Sequence, residues 1–412
     1  CLIQARQMNH PVTFRAPKWA YHYTKEDFPY RINFSSPEKW TNDNFWWMEI
    51  GGTKDAIHDA EELRDELIRI AYGVWDFIKN GNEVEASCWD LDWMGFLPGK
   101  RESRRYVGDY ILNQNDVRSE GRFEDLVAYG GWTMDDHDPR GFETKERPNI
   151  WHPAPSPYGI PYRCVYSVNI DNLFFAGRNI SATHVANASA RVMGTCALLG
   201  QAVGTAASLC VRHHCQPRDI SKCHIRELKQ ALMEDDCYLP WNRKEMDAVM
   251  EGAAIQAAAG NDPSRKTDAS VLMDGVERMV DGIDHAWEGT TGDELILTLP
   301  QKRAVRFLRL VMDSDLNRTT WKEQKWYIQK FPTKCNIFLD DKPVTVPGTI
   351  LKSYEVWLDY GDGTFVPFKE VNNNYQRLNK IPIGKQIKRL KLIPREVWSG
   401  CRVRLYAMEV LG

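Results

Sequence analysis

Between residues 53 and 79 the apolar side chains Ala56, Ile57, Ala60, Leu63, Leu67, Ile70, Ala71, Val74 and Ile78 recur every three or four positions, with acidic and basic residues between them. That spacing predicts one long amphipathic helix. Just upstream, residues 44–50 carry the aromatic types that suit a pleated surface and close on Gly51-Gly52, which predicts a strand. Residues 169–177 read as a buried strand ending in a glycine turn. A second helix is expected after Ala188, running through the small residues Gly194, Ala197, Gly200, Ala202, Gly204, Ala206 and Ala207 to Leu209. Such a ladder lets a second backbone or a flat ligand come close. A third helix over 220–233 puts Ile225, Leu228 and Leu232 on one face.

The period then changes. A small-residue stretch, Ala253-Ala254-Ile255-Gln256-Ala257-Ala258-Ala259-Gly260, runs into the turn formers Asn261-Asp262-Pro263. Beyond it come short alternating runs at 294–299, 305–312, 336–339, 354–360, 387–393 and 403–410, separated by Gly, Asp, Asn and Pro. Regular strands without intervening helices predict an antiparallel β-sandwich of about 140 residues. The expected fold class is therefore α+β: a domain of mixed sheet plus helices over 1–255, a linker over 256–267, and a sandwich over 268–412.

Composition narrows the partners more than the fold. The chain has 412 residues, suited to two domains, with 43% hydrophobic and 26% charged residues. Lys and Arg number 53 against 56 Asp and Glu, so a net charge of −3 provides no field to recruit nucleic acid or an anionic membrane. No uninterrupted apolar run reaches the ~18 residues of a membrane span, so no transmembrane segment is expected. The ten cysteines are scattered through a chain large enough to fold without staples, which predicts buried thiols and no disulfide framework. Cys1-Leu2-Ile3-Gln4-Ala5-Arg6 reads like the interior of a folded domain. A preceding segment is therefore expected, and localisation stays open, with the periplasm or cell envelope one option.

Several constellations carry candidate chemistry. Residues 172–181 would present glycine and backbone N–H groups to an anion or polarised carbonyl, or form a tight packing junction. Four cations among residues 100–105 read, taken alone, as a solvated face. Asp135-Asp136-His137-Asp138 holds hard-metal ligand types, but consecutive residues seldom aim at one ion, and His137 is better read as lining a site. Cys210, His213, His214, Cys215, Cys223 and His224 fit no common zinc spacing, so helix-end packing accounts for them and no metal is assigned. Trp287, Trp321, Trp326 and Trp357 suit either a sugar-stacking surface or a sandwich core.

Taken together, Asn172-Leu173-Phe174-Phe175-Ala176-Gly177-Arg178-Asn179-Ile180-Ser181, His184, Arg191-Val192-Met193 and Gly200-Gln201-Ala202-Val203-Gly204 resemble the closing flavin segment of the glutathione-reductase-like superfamily. The closer resemblance is to the bacterial FAD-dependent oxidoreductases. Blocks at 45–52, 98–105, 130–137 and 160–164 fall in the matching order, so the likeness covers roughly residues 1–235. The tail from about residue 268 is more loosely similar to a galactose-binding-like sandwich.

The resemblance implies FAD as cofactor, with Gly177, Arg178, Asn179, Gly200, Gln201 and Ala202 beside it and a helix N-terminus stabilising the reduced ring. It gives His184 the role of proton donor or substrate ligand, against a turn-fixing histidine, and makes His137 a second proton carrier. Arg191 would pair with substrate or flavin, against plain packing, while Arg101 and Arg104 would point inward. One departure stands out: the family's Gly-x-Gly-x-x-Gly turn is missing, and Gly361-Asp362-Gly363 lies in a sandwich hairpin. The expected function is FAD-mediated hydride transfer with a small organic substrate, sugar-derived compounds among the candidates, carried here by a fragment of the parent enzyme. The alternative is a non-catalytic carbohydrate-binding or scaffold protein acting through the sandwich. Substrate, electron acceptor, direction and oligomeric state are not set by the sequence.

Overall fold

The computed structural model describes residues 1–28, 48–100, 104–258, 268–314 and 346–412. Arg101, Trp321, Trp326, most of the strand expected at 44–50, the strand at 336–339 and most of the linker lie outside the described residues. The chain divides into two units, Cys1–Leu228 and Lys229–Gly412.

In the first unit, β1 (Ile3–Gln7) pairs antiparallel with β2 (Trp89–Met94), and α1 (Ala60–Asn80) lies between them in sequence. The helix expected over 53–79 starts only at Ala60, because Asp55 accepts the backbone N–H groups of Ile57 and His58 and holds 55–58 in a turn. One face of α1, with Leu63, Leu67, Ile70, Val74, Trp75 and Ile78, is buried with Ile3, Phe28 and Met48. Near its C-terminal end, Lys79 Nζ donates to the carbonyls of Val12, Ala86, Ser87 and Trp89 at 2.7–3.1 Å, fixing the chain that leads into β2.

Short elements follow: α2 (Gln114–Arg118), β3 (Leu126–Gly130), β4 (Met134–His137), β5 (Asn149–His152) and β6 (Tyr158–Pro161). β3 pairs with β6 and β4 with β5, both antiparallel. Residues 169–177 form no sheet strand. Ser167 Oγ accepts from the backbone N–H of Asn169 and of Ile170, turning the chain into a small hairpin that leaves Ile170 exposed.

The second expected helix is two: α3 (His184–Ala190) and α4 (Met193–His213), separated by Arg191 and an extended Val192. α3 begins earlier than expected because Thr183 caps it through Ala186 N–H. By length and composition α4 could cross a membrane: its Leu, Val, Ala and Cys bring the mean hydropathy to 1.4, although Gly, Thr, Gln and Ser interrupt the apolar positions. A core helix passes the same test. Beyond α4 come α5 (Pro217–Asp219), a π turn (Ile220–His224) and α6 (Ile225–Glu234).

The second unit is an antiparallel β-sandwich. Its strands are β7 (Ala254–Ala258), β8 (Trp287–Thr290), β9 (Glu294–Met312), β10 (Leu351–Asp359), β11 (Val366–Val371), β12 (Leu378–Val397) and β13 (Arg402–Leu411). They hydrogen-bond in the order β11-β10-β12-β9-β13-β8, with β7 also on β9. The runs at 294–299 and 305–312 are one strand, and register shifts at Pro382/Lys385 and Ile387/Arg389 of β12 let the long ladder bend. Residues 229–255, assigned to the first domain from the sequence, lie in this unit, and β7 joins its sheet. Alanine-rich composition hides that strand, since Ala is not a strand former. Trp287 is 1% exposed, so it is a core residue and no sugar platform.

Candidate active site

A cavity of about 2240 Å³ opens in the first unit, well above the ~300–1,000 Å³ usual for a single small ligand. One wall is β4. Side chains alternate along a strand, so Asp135 and His137 share one face and Asp136 turns to the other.

The shared face builds a continuous network. His137 Nδ1 lies 2.6 Å from Glu49 Oε1, and its Nε2 lies 3.2 Å from Asp135 Oδ2. Asp135 also accepts from Asn149 Nδ2 at 2.6 Å, across the β4–β5 ladder, and from the Arg191 guanidinium at 3.1 Å. Burial alone would raise the Asp135 carboxyl. Hydrogen bonds from His137 and Asn149, with the charges of His137 and Arg191, outweigh it and hold the group at about 2.

Asp136, on the opposite face, holds His184 Nε2 at 2.9 Å, and this imidazole stays more than half exposed on the cavity wall. Asp138 goes elsewhere again, pairing with Arg140 and Thr144. The four consecutive residues thus serve three separate arrangements.

Backbone packing sets these positions. Gly141, at φ +56°, brings its Cα against the Glu49 carbonyl, and a Cβ there would sit 2.1 Å from that oxygen. A Cβ on Gly52 would likewise meet the Pro139 carbonyl at 2.4 Å, and Phe142 N–H donates to Glu49 O at 2.6 Å. The segment carrying Glu49 is thereby pressed onto the turn after β4. α3 is fixed by Ser189, whose hydroxyl donates to the Trp132 carbonyl at 2.5 Å and meets Tyr158 OH at 2.7 Å.

Of the residues expected to act, His137, His184, Arg191 and Arg104 all line this cavity; Arg101 is outside the described residues. The six residues assigned to the cofactor do not line it. Gly177 takes a left-handed φ of +87°, with only Asn179 Oδ1 near the place a Cβ would take, at 3.9 Å, and Arg178 lies close enough to Cys196 at the start of α4 to act on its thiol. Gly200 and Gln201 are exposed on α4, whereas Ala202 is buried on the other side of that helix, facing the core.

Sequence reasoning gave no role to Glu49, to Asp136 as partner of His184, or to Ser181. The strand alternation at 134–137 was the available signal for Asp136. Ser181 lines the cavity with its hydroxyl buried and unpartnered among the described residues, and both amide atoms of buried Asn187 on α3 are in the same condition. Buried polar atoms left this way are costly and call for a partner. A polar, multi-ring cofactor in the cavity could meet the Ser181 hydroxyl, and the cavity has room for one beside a substrate.

Residues 2–232, more than half of the chain, match the family described as FAD dependent oxidoreductase. No curated protein matches. Among solved structures the chain is similar to a Clostridium perfringens module in complex with GalNAc-beta-1,3-galactose, at 13% identity over 40% of this chain and 98% of that one, TM-score 0.27. It is also similar to the family 32 carbohydrate-binding module of Streptococcus pneumoniae EndoD, at 11% identity over 39% and 97%, TM-score 0.28.

Proposed function

Because the chain belongs to the FAD dependent oxidoreductase family, we propose that its first unit oxidises or reduces a small organic substrate in the cavity walled by β4 and α3. When bound, FAD supplies the hydride acceptor or donor. The observation that carries the reading is a carboxylate-held histidine, His184 on Asp136, facing the same cavity as the unpartnered Ser181 hydroxyl.

The residues divide their work by environment. His184, oriented by Asp136 and open to the cavity, takes or gives the proton that accompanies hydride transfer, since imidazole changes charge near neutral pH. His137 has a carboxylate at each ring nitrogen and acts as a positioning residue that keeps Asp135 and Glu49 in place. Arg191 is tied to Asp135, and Arg104, exposed on the wall, anchors an anionic or hydroxyl-rich substrate. Ser181 donates to the cofactor or substrate from the cavity wall.

The test is a flavin spectrum, with FAD titrated into the 412-residue chain and into its Ser181→Ala variant. A shifted, structured absorbance band that weakens in Ser181→Ala supports the reading. An unperturbed FAD spectrum with the parent chain sinks it.

A second reading, sugar binding through the sandwich, is supported by Trp398 and Tyr375, exposed aromatics brought near each other where Trp398 Nε1 donates to Asn374 O at 2.6 Å. Retention on polysaccharide in affinity electrophoresis, lost in Trp398→Ala, would support it; no retention would remove it.

A further inference from the structure

Away from the cavity, three ligand-type side chains converge where α4 ends. His214 takes a left-handed φ of +50° and turns the chain, and α5 with the following π turn brings it back alongside. His224, the last residue of that π turn, stacks on His213 with ring centroids 4.0 Å apart and 16° between planes. Glu227, in the next turn, puts Oε2 2.8 Å from His213 Nε2 and 3.5 Å from His224 Nδ1. Arg212 occupies its other oxygen at 3.4 Å. The three donor atoms lie within 4.8 Å of one another.

Two imidazole nitrogens and one carboxylate oxygen form a donor set for a borderline divalent ion. Bonds of ~2.0–2.1 Å in a tetrahedron separate neighbouring ligand atoms by about 3.3 Å, and the observed 2.8 and 3.5 Å lie on either side of that value. The π turn matters too: this rare geometry recurs at functional positions, and here it sets the direction of His224.

We propose that His213, His224 and Glu227 bind one divalent transition-metal ion of the zinc type, with water completing its shell, and that the ion ties the end of α4 to the start of α6. Ring planes this close to parallel put an ion off both lone-pair axes, so capture splays the stack. The side chains, 26–38% exposed, have room to do so. The inference does not depend on the oxidoreductase reading.

The test is a Zn²⁺ titration of the full chain against a chromophoric chelator at pH about 7.5, repeated with Co²⁺ for its spectrum. Expected is one equivalent bound, a Co²⁺ spectrum without thiolate charge-transfer bands, and affinity lower by about 10-fold or more in His213→Ala and in Glu227→Gln. The triple variant Cys210→Ser, Cys215→Ser, Cys223→Ser should bind as the parent does. No bound equivalent, thiolate bands, loss of binding in the cysteine variant, or full binding in both ligand variants would each overturn the proposal. Far-UV circular dichroism identifies a variant that fails to fold, and Glu227→Gln, the isosteric change, then decides.

Discussion

Arg309 and Glu409 face each other across β9 and β13 in the second unit, fully buried, with Lys244 on the other Glu409 oxygen at 2.8 Å and Glu277 on the guanidinium. The backbone carbonyls of Met233 and Glu234 accept the remaining Arg309 donors. In the first unit, Glu49, His137, Asp135 and Arg191 make an equally connected chain of charges, but one edge of it borders a large cavity. Similar side chains thus do different things. The sandwich network is closed by protein on every side and can only hold or lose the fold, whereas the cavity network leaves surface for a ligand to touch. Charge burial alone therefore does not mark a functional site; burial beside open space and an unpartnered donor does.

The sharpest way to break this comparison is Arg309→Met. It strands Glu409 and Glu277 with too little positive charge and should cost about 3–5 kcal/mol of stability in urea unfolding; a loss under about 1 kcal/mol would mean the network is no structural keystone. His184→Ala should do the reverse, slowing turnover about 10²–10⁴-fold while stability stays within about 0.5 kcal/mol of the parent. Asp135→Asn falls between them, because the group is both structural and next to the cavity: about 1–3 kcal/mol is expected, with reduced turnover. Its pH dependence has a definite sign. A carboxyl held at about 2 contributes stability that is fully present above about pH 4 and lost as pH falls through 2, so the variant should flatten the acid limb of the stability curve in that window. The smallest effect is expected from Ser181→Ala, which should leave stability unchanged and weaken FAD binding about 2–10-fold, as read by flavin fluorescence quenching.

Much of this could be read from residue order, for reasons particular residues make plain. Leu63 to Ile78 carry a helical period strong enough to survive any context, and Val403 to Val410 are apolar enough to demand a sheet. His137, His184 and Arg191, singled out from the sequence, line one cavity. What was not legible depended on distant partners. The hairpin at 169–175 replaces a strand because one serine hydroxyl outcompetes sheet pairing, and β7 emerges from an alanine run only because β9 is there to receive it. Glu49 and His137 are 88 residues apart, and no local pattern announces their contact.

Gly141 has no side chain and lines the cavity only with backbone, yet its missing Cβ is what allows Glu49 to stand where it does. In a saturation library selected for activity, this position should tolerate fewer replacements than many residues that face the substrate. If the proposed activity holds, retargeting it means varying the exposed wall around Arg104 and leaving that glycine alone.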